Sequence, residues 1–383
     1  MLILVVNCGS SSVKYDLFDV DGKSSDLCRG IVERIGEDSS TLTHEITGEE
    51  KVHRKVLCRD HHQAIEIIRD ALIDEKKSVL RDTNEVKGVG HRVVHGGEEF
   101  SESILIDENV IKSIEKFSEL APLHNPPSLE GIKSCMEIFQ GIPQAAVFDT
   151  AFHHSMSKHV FCYGLPYEYY EKYGIRRYGF HGTSHRYVAN KTAEVLGKPV
   201  EKLKAITVHL GNGCSIAAVS GAKSIDTSMG FTPLEGLLMG TRSGDIDPAV
   251  VTFLMQRENL TDEEVNDILN KKSGLLGVSG VSNDMRDILA AIKKGNTRAK
   301  LAYDIFVYRI KKYIGAYAAV LGEVDAVVFT AGIGENLPQI KDSLQKELKH
   351  LFGKNTKFLI VKTNEELLIA KDTYKLVSHN STI

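Results

Sequence analysis

The sequence has few of the features that mark disordered or membrane-spanning proteins. Only nine of its 383 residues are proline and 42% are apolar, so the chain can bury a sizeable core and disorder is excluded. The apolar run near its start, Leu2 to Val6, is about a quarter of the ~20 residues that a bilayer span needs. Because this run also lacks a basic flank and a cleavage site, we expect no signal peptide.

Neither sign of charge is in large excess, and no cysteine pattern points to disulfides or zinc. Lys plus Arg number 47 and Asp plus Glu number 51, which argues against a surface that grips nucleic acid or anionic lipid. The six cysteines contain no CxxC pair and indicate free thiols in a reducing compartment. We therefore expect a soluble, cytoplasmic protein of two to three domains that binds neither nucleic acid nor membrane.

The sequence also lacks a GxxxxGK[ST] phosphate-binding loop, but two other turns of small residues share one pattern. The stretch from Leu4 to Lys14 reads as a strand, a Gly/Ser turn and a second strand, and Thr207 to Ile216 repeats it, with Gly211 matching Gly9. Such turns bring backbone N–H groups close to a ligand. Two interpretations stay open: two unrelated hairpins, or a duplicated α/β domain with a phosphate-cradling hairpin at the start of each half.

Helix signals are clearest in the second half of the chain. Asp247-Pro248 predicts an N-cap and a first helical proline that open a helix over Ala249 to Gln256. Thr297 to Leu321 carries a long amphipathic pattern, and Gly322 is expected to end it.

A buried strand is predicted over Asp325 to Thr330. It leads into a glycine-rich loop, Gly332 to Asn336, that opens a helix near Leu337-Pro338. The glycines favour a phosphate-binding loop at a helix N-terminus, although an ordinary strand-to-helix turn also explains them. Alternating strands and helices of this kind predict mixed α/β layers.

Four further segments place one polar side chain beside glycine or other small residues, as in a functional cleft. They surround Arg92, Asp149, His181 and Arg242. The alternative for the histidines is a zinc site, because His181 and His185 are four residues apart, as are His91 and His95. The alternative for the arginines is a pair of surface salt bridges.

Together these motifs resemble the acetate kinase family, in the superfamily that includes actin, hexokinase and the heat-shock chaperone ATPases. The resemblance rests on Asn7–Lys14, on the four polar segments, and on the turns at 211–213 and 332–336. It implies an α/β fold of two duplicated actin-like (ribonuclease H-like) domains with a cleft between them. The N-terminal domain would span 1–149, with the C-terminal helix 367–383 packing back on it, and the nucleotide-binding domain would span 150–366.

The resemblance also implies an activity. It is the reversible, direct in-line transfer of the ATP γ-phosphoryl group to acetate, giving acetyl phosphate and ADP, in a homodimer that uses Mg²⁺, for which Mn²⁺ can substitute. The alternatives are a kinase for propionate or another short-chain carboxylate and, more distantly, an actin-like ATPase that acts on a protein partner.

The roles implied by the resemblance fall on matching residues. The catalytic residues would be Asp149, His181 and Arg242. The substrate would be bound by Arg92, Val94, Leu123, Phe180 and Pro233. ATP would be bound by Lys14, His209, Leu210, Gly211, Asn212, Gly213, Asp284, Met285, Arg286, Gly332, Ile333, Gly334, Glu335 and Asn336. The metal ligands would be Asn7 and Glu365.

Elementary chemistry refines two of these roles. A carboxylate is already ionised at pH 7, so the nucleophile needs no general base. We therefore expect Asp149 to orient a metal-bound water or to order an arginine rather than to abstract a proton. Thr363 to Glu366 has the spacing of a capping box, which accounts for Glu366 and leaves Glu365 as the better metal ligand.

Two further residue roles remain as expectations. Asp284 either contacts the nucleotide or caps the helix from Met285. Val94 and Phe180 adjoin Arg92 and His181, so we expect an apolar wall that prefers acetate, accepts propionate less well and makes longer chains such as butyrate poor substrates.

Overall fold

A computed structural model describes residues 1–21, 24–74, 79–122 and 124–380. The chain divides into two compact units, which are described separately. Unit 1 comprises Met1–Ala151 together with the segment from Asn364, and unit 2 comprises Phe152–Thr363. Within the described ranges, no helix is both long enough and apolar enough to cross a membrane.

Unit 1 is a mixed sheet with helices on both faces. Its strands, in the order β5-β4-β3-β2-β1-β6-β8-β7 across the described part of the sheet, are β1 (Leu2–Cys8), β2 (Ser12–Asp19), β3 (Ser25–Glu33), β4 (Thr41–Ile46), β5 (Val52–Lys55), β6 (Val86–Val93), β7 (Ile104–Leu105) and β8 (Gln144–Phe148). Its helices are α1 (His61–Leu72), α2 (Glu108–Lys116), α3 (Asn125–Ile138) and the C-terminal helix (Glu365–Asn380).

The first strand shows why unit 1 needs helices on two sides. Side chains alternate between the faces of a strand, and in β1 both sets are apolar and buried. Leu4 belongs to the cluster that contains Ile65 of α1. Ile3 and Val5 belong to a second cluster that contains Ile369 of the C-terminal helix. The chain therefore has to return to unit 1 to cover that second face.

Glycine in β6 makes room for this returning helix. A Cβ on Gly88 would lie 3.1 Å from side-chain carbons of Ile3 and Val377 and 3.2 Å from one of Thr373. A larger residue would force these side chains, two of them on the C-terminal helix, to shift by a few tenths of an ångström.

Unit 2 repeats the arrangement with a smaller sheet. Its strands, in the order β11-β10-β9-β12-β13 among the described residues, are β9 (Lys204–Leu210), β10 (Cys214–Ser220), β11 (Lys223–Thr227), β12 (Ala326–Thr330) and β13 (Lys357–Ile360). Its helices are α4 (Lys158–Phe161), α5 (Glu168–Tyr173), α6 (Gly182–Leu196), α7 (Ala249–Glu258), α8 (Asp262–Lys271), α9 (Gly274–Ser279), α10 (Met285–Lys293), α11 (Thr297–Leu321), α12 (Ala331–Asn336) and α13 (Pro338–Leu348).

The two sheets have the same topology. The run β3-β2-β1-β6-β8 contains two antiparallel pairs followed by two parallel pairs. The run β11-β10-β9-β12-β13 has the same order and the same strand directions. The predicted hairpins, β1–β2 and β9–β10, occupy equivalent places in these runs. The duplicated α/β architecture is confirmed, and the interpretation as unrelated hairpins is wrong.

The long helix α11 has the predicted bounds. Its buried residues recur at three- or four-residue intervals through Phe306, Ile310 and Ile314, and it packs on β9 and β10. Gly322 ends it at φ 71°, where a side chain would be strained.

The bounds of one predicted helix and one predicted strand, and one predicted capping box, differ from the structure. The helix after Asp247 has Pro248 as its N-cap and runs on to Glu258, while the Asp247 carboxylate accepts a bond from the Ala249 N–H at 2.9 Å. The predicted strand before the glycine-rich loop begins at Ala326, one residue later than expected. The predicted capping box at Thr363 is wrong: Asn364 caps the C-terminal helix, its Oδ1 lying 2.9 Å from the Leu367 N–H.

The segment predicted as a glycine-rich loop is also different. Residues 331–336 form the short helix α12, and the next helix begins at Pro338 as expected. Ala331 takes a left-handed conformation, φ 63°, where β12 ends and α12 begins. The Glu335 carboxylate then accepts the Ala331 N–H at 2.9 Å, which closes the turn as a helix.

Candidate functional site

Three predicted residues of unit 1 meet at the ends of neighbouring parallel strands. Asn7 lies near the end of β1, Arg92 near the end of β6, and Asp149 directly follows β8. Because these strands run parallel side by side, their carboxyl ends form one edge, where ligands of α/β sheets bind. Arg92 Nη2 lies 2.5 Å from Asp149 Oδ2, Nε lies 3.2 Å from Oδ1, and Nη1 lies 3.5 Å from Asn7 Oδ1.

This geometry orders the Arg92 guanidinium. Asp149 is 1% exposed and grips it through two bonds, the two-point geometry that suits an arginine fork. These bonds and the one to Asn7 use three of its five N–H groups among the described residues, so two remain for a ligand.

Glu365, the first residue of the C-terminal helix, adds negative charge near this arginine. Burial is the main cause that raises the pKa of Glu365 to about 7, with Arg92 opposing it and Asp149 adding to it. Burial acts to lower the pKa of Arg92, but the charges of Asp149 and Glu365 outweigh it and the pKa is raised. Glu365 is crowded by other carboxylates, and the Asn7 amide oxygen lies near the Arg92 guanidinium whose charge Glu365 also feels. Carboxylate and amide oxygens are the donors that a hard divalent cation prefers. The predicted pair of Asn7 and Glu365 fits such an ion.

In unit 2, the β9–β10 turn brings two predicted catalytic side chains together. The turn is closed by a bond from the Gly211 N–H to the Gly213 carbonyl at 3.0 Å. A Cβ on Gly213 would lie 3.3 Å from Cε1 of His181 and 3.4 Å from Nη1 of Arg242. The glycine therefore leaves space for an imidazole and a guanidinium at one point of the hairpin.

His181 is held in an unusual backbone conformation at the start of α6. Its φ is 57°, which costs a residue other than glycine about 1–2 kcal/mol. Its Nδ1 lies 2.9 Å from the Ser215 hydroxyl, and its ring stacks on that of His209 with centroids 4.2 Å apart. Strain of this kind persists where the surroundings hold a side chain in place.

Arg242 is a partly buried cation whose charge no carboxylate of the described residues pairs. Its Nη1 donates to the Pro233 carbonyl at 3.1 Å. Burial lowers its pKa, and the Cys214 thiol opposes this only in part. The loop that carries it is fixed by two bonds between Gly236 and Asp245, at 2.8 and 2.9 Å. A fixed, unpaired guanidinium is a binding site for an anion.

A cavity of about 650 Å³ lies in unit 2 beside the same turn. Most of its walls come from residues predicted to bind ATP: Gly211, Asn212, Asp284, Met285, Arg286, Gly332, Ile333 and Asn336. Asn283 and Leu337 also line it, and sequence reasoning missed both, although each adjoins a predicted segment. Asp284 lines the cavity, and its carboxylate also caps α10 by accepting the Arg286 N–H at 2.8 Å. The predicted cap is confirmed, and the predicted nucleotide contact stays a prediction.

Other residues predicted to bind ATP do not line this cavity. His209 stacks on His181, and Leu210 is buried in β9. Gly213 lies beside His181 and Arg242, and Gly334 is buried in α12. Glu335 accepts the N–H groups of Ala331 and Thr363, so its contacts are within the protein. Lys14 belongs to unit 1, where it lines a cavity of about 300 Å³.

The predicted acyl wall draws on both units. Val94 is buried in unit 1, while Phe180 and Pro233 belong to unit 2. Leu123 lies outside the described residues. The pocket that these residues would form stays a prediction.

The histidines that suggested zinc have protein partners. His91 Nε2 lies 2.6 Å from the Gln144 side-chain oxygen, and His95 Nδ1 accepts the Gly97 N–H at 3.0 Å. His185 is bonded to Ser215 and Thr207. Within the described ranges, no group of three or more His, Cys, Asp or Glu is arranged to hold a metal ion.

Sequence reasoning also missed the partners that surround His181. Ser215 is a fully buried polar residue in β10, a strand whose residues are almost all buried. A hydroxyl in such a strand must find a hydrogen-bond partner, and this is the signal that could have identified it.

Comparison with known proteins identifies the family of this chain. Residues 2–356 match the model of the Acetokinase family. The acetate kinase of Thermoanaerobacter pseudethanolicus is 55% identical over 398 residues, covering 98% of this chain and 99% of that protein. A crystal structure of Porphyromonas gingivalis acetate kinase superposes with a TM-score of 0.93 at 46% identity, covering 98% of this chain and 99% of that one.

A propionate kinase structure from Francisella tularensis is similar as well, with a TM-score of 0.92 at 41% identity, covering 98% of this chain and 99% of that one. Matches of this length and identity confirm the predicted α/β fold of the actin-like ATPases, and the chain belongs to the acetokinase family.

Proposed function

We propose that this chain is an acetate kinase that transfers the ATP γ-phosphoryl group reversibly to acetate, giving acetyl phosphate and ADP by direct in-line transfer. Membership of the family supports the activity. The observation that carries the mechanism is Arg242, a fixed guanidinium beside His181 whose charge no carboxylate of the described residues neutralises. Such a group is built to receive an anion, and the γ-phosphoryl group is the anion of this reaction.

Acetate needs to be held and aimed rather than activated, because its carboxylate is ionised at pH 7. Arg92 has two N–H groups available for that carboxylate. Asp149, which grips Arg92 through two bonds, orders the arginine in this proposal and abstracts no proton.

In the transition state the phosphoryl group lies between the donor and acceptor oxygens, and its negative charge must be stabilised there. Arg242 neutralises that charge, and His181 adds a hydrogen-bond donor on the same side of the β9–β10 turn. Both groups are fixed before the substrate arrives, Arg242 by the Pro233 carbonyl and His181 by Ser215. Little reorganisation is then needed as the reaction proceeds.

The 650 Å³ cavity has the size and lining for a nucleotide. Its walls combine backbone near Gly211 and Gly332, where chain and phosphate can approach closely, with the apolar side chains of Met285, Ile333 and Leu337 for a base. We assign the ATP site to this cavity.

Members of the family use ATP with a divalent metal, and we propose Mg²⁺ for this chain. Asn7 and Glu365 would hold it through oxygen donors, and the ion would neutralise charge on the phosphates. Mg²⁺ usually keeps several waters and binds proteins through few ligands, so two protein oxygens suit it, and Mn²⁺ is expected to substitute.

Propionate is the second candidate substrate, because a propionate kinase structure is nearly as similar as an acetate kinase one. We infer a preference for acetate from the bulk of Val94 and Phe180. We further propose a homodimer, because the resemblance to the family implies one. We also propose a cytoplasmic location, since all six cysteines are free and five of them are buried.

The activity is tested by trapping acyl phosphate with hydroxylamine in the presence of ATP, Mg²⁺ and acetate. We expect acyl hydroxamate to form in proportion to ADP, and the Arg242→Ala variant to lose this product. Arg257→Ala, which removes an exposed arginine of α7, is the matched control and should leave the rate unchanged. ATP consumption without hydroxamate would exclude a carboxylate kinase.

A further inference from the structure

A buried chain of hydrogen bonds connects His181 to the strands of unit 2. Ser215 Oγ lies 2.9 Å from Nδ1 of His181 and 2.8 Å from Nε2 of His185. The other ring nitrogen of His185, Nδ1, lies 2.7 Å from the Thr207 hydroxyl. That hydroxyl lies 3.4 Å from the Ala217 carbonyl oxygen. Ser215, His185 and Thr207 are all fully buried.

Because Ser215 has a single hydroxyl proton, it couples the two histidines. Its hydroxyl can donate to one facing nitrogen and accept from the other. Two bare nitrogens would leave one of them unsatisfied, and two protonated nitrogens would leave the hydroxyl proton without an acceptor. Either arrangement is costly in a buried site. The choice of protonated nitrogen in His181 is therefore coupled to the choice in His185.

The far end of the chain sets its direction. The Ala217 carbonyl can only accept, so the Thr207 hydroxyl donates to it and accepts from His185 Nδ1–H. Burial, with His153 and His209 nearby, lowers the pKa of His185 well below its usual value, so its ring is neutral. A neutral ring protonated at Nδ1 has a bare Nε2, which accepts the Ser215 proton. Ser215 then accepts from His181 Nδ1–H.

We propose that Ser215, His185 and Thr207 are positioning residues that keep the proton of neutral His181 on Nδ1. Nε2 of His181 then donates a hydrogen bond only when the ring is an imidazolium cation. The hydrogen-bond donor and the positive charge are therefore offered to the phosphoryl group at the same time. This inference rests on the role proposed for His181 in phosphoryl transfer.

Other groups face His181 and affect its charge. His209 of β9 stacks on the ring, and Arg242 approaches the same side of Gly213. Cys214 of β10 is neutral, because burial raises the pKa of its thiol to about 12. These groups influence how readily the ring is charged, whereas Ser215 decides which nitrogen keeps the last proton.

The test is nitrogen NMR of the full-length protein with ¹⁵N-labelled histidine and no substrate, since the ring shifts report which nitrogen is protonated. We expect neutral His181 to carry its proton on Nδ1 in the native protein. Ser215→Ala should move it mainly to Nε2, because Nδ1–H loses its acceptor. Thr207→Val should shift the population in the same direction, although Thr207 contacts neither Ser215 nor His181 in the chain of bonds.

Ser224→Ala is the matched control. Ser224 is also a fully buried serine bonded to a histidine Nδ1, that of His153, at 2.7 Å. This variant should change the signals of His153 and leave the His181 tautomer as it is.

A kinetic readout complements the spectra. In the native enzyme kcat should fall at alkaline pH, where the neutral ring presents a lone pair at Nε2. In Ser215→Ala the fall should be shallower, because a neutral ring can then donate from Nε2.

Native His181 protonated at Nε2 in its neutral form, or a tautomer unchanged in both Ser215→Ala and Thr207→Val, would overturn the proposal. Since the spectra need no substrate, they stand whether or not hydroxamate forms. A negative hydroxamate assay would instead refute the proposed kinase activity.

Discussion

Replacing Asp149 with Asn separates an arginine-ordering role from a proton-transfer role, because the side chain keeps its shape and loses its charge. Asp149 accepts two bonds from Arg92 while being 1% exposed. An amide oxygen can accept one of these bonds, but its NH₂ would face the second arginine N–H donor. The Arg92 guanidinium therefore loses one bond and its partner charge.

The magnitude follows from the burial of the pair. Breaking a buried ion pair by changing one partner costs about 3–5 kcal/mol, and a hydrogen bond to a charged group contributes about 1.5–3 kcal/mol. The Arg92 side chain is 24% exposed and keeps Asn7 as a partner, so we expect the low end, a loss of about 3 kcal/mol in the free energy of unfolding. If roughly half of that loss is felt by the arginine–acetate contact, KM for acetate rises about tenfold.

Two measurements test this prediction: urea unfolding, and steady-state hydroxamate kinetics over a range of pH. The pH profile of kcat should keep its shape, and kcat should change only a few-fold. Asp70→Asn, which removes one partner of an exposed ion pair with Arg69, is the control and should cost less than about 1 kcal/mol. Loss of an acidic limb from the kcat profile, with KM for acetate unchanged, would show that Asp149 transfers a proton.

Four further outcomes are expected. Arg242→Ala should lower kcat roughly 100-fold and change KM for acetate little, because its partner charge develops in the transition state; an equal effect on both would contradict this. Gly213→Ala should lower kcat about tenfold, since the new Cβ would sit 3.3–3.4 Å from the catalytic side chains, whereas an unchanged kcat would mean that they shift freely. Val94→Ala should raise the propionate-to-acetate ratio of kcat/KM about fourfold, the value of one methylene at ~0.8 kcal/mol, and an unchanged ratio would put the wall elsewhere. Burial lowers the pKa of His91 to about 4, so the unfolded chain takes up a proton before the folded one as the pH falls from 7 to 4. The free energy of unfolding should drop by up to about 3 kcal/mol over that range, and His91→Gln should show a shallower drop in urea unfolding.

Local sequence signals predicted an element correctly where no contact distant in sequence overrode them. The bounds of α11 follow from its apolar period and from Gly322, and the two hairpins follow from turns of small residues between alternating strands. The same reasoning failed at Thr363, because contacts distant in sequence decide its role. Its hydroxyl lies 3.0 Å from that of Ser184 and its N–H donates to Glu335, so Asn364 is left to cap the helix.

The candidate site shows the same division between local signals, which are readable from the sequence, and contacts distant in sequence, which are not. Motifs located the segments around Arg92, Asp149, His181 and Arg242, because each sets one polar side chain among small residues. The partners were not predictable, since they lie on elements that are distant in sequence. Ser215 of β10 bonds His181 and His185, which precede it by 34 and 30 residues.

The discontinuity of unit 1 has a consequence for the order of folding during synthesis. A ribosome completes all of unit 2 before it makes Asn364, so unit 2 is free to fold first, although most of unit 1 precedes it in sequence. Until the C-terminal helix emerges, the sheet face that bears Ile3 and Val5 is uncovered, an apolar surface of the kind that chaperones hold. That same helix carries Glu365. A truncated chain would therefore lack both the helix that covers its core and a candidate metal ligand. Loss of this helix would destabilise the fold and impair the candidate site together.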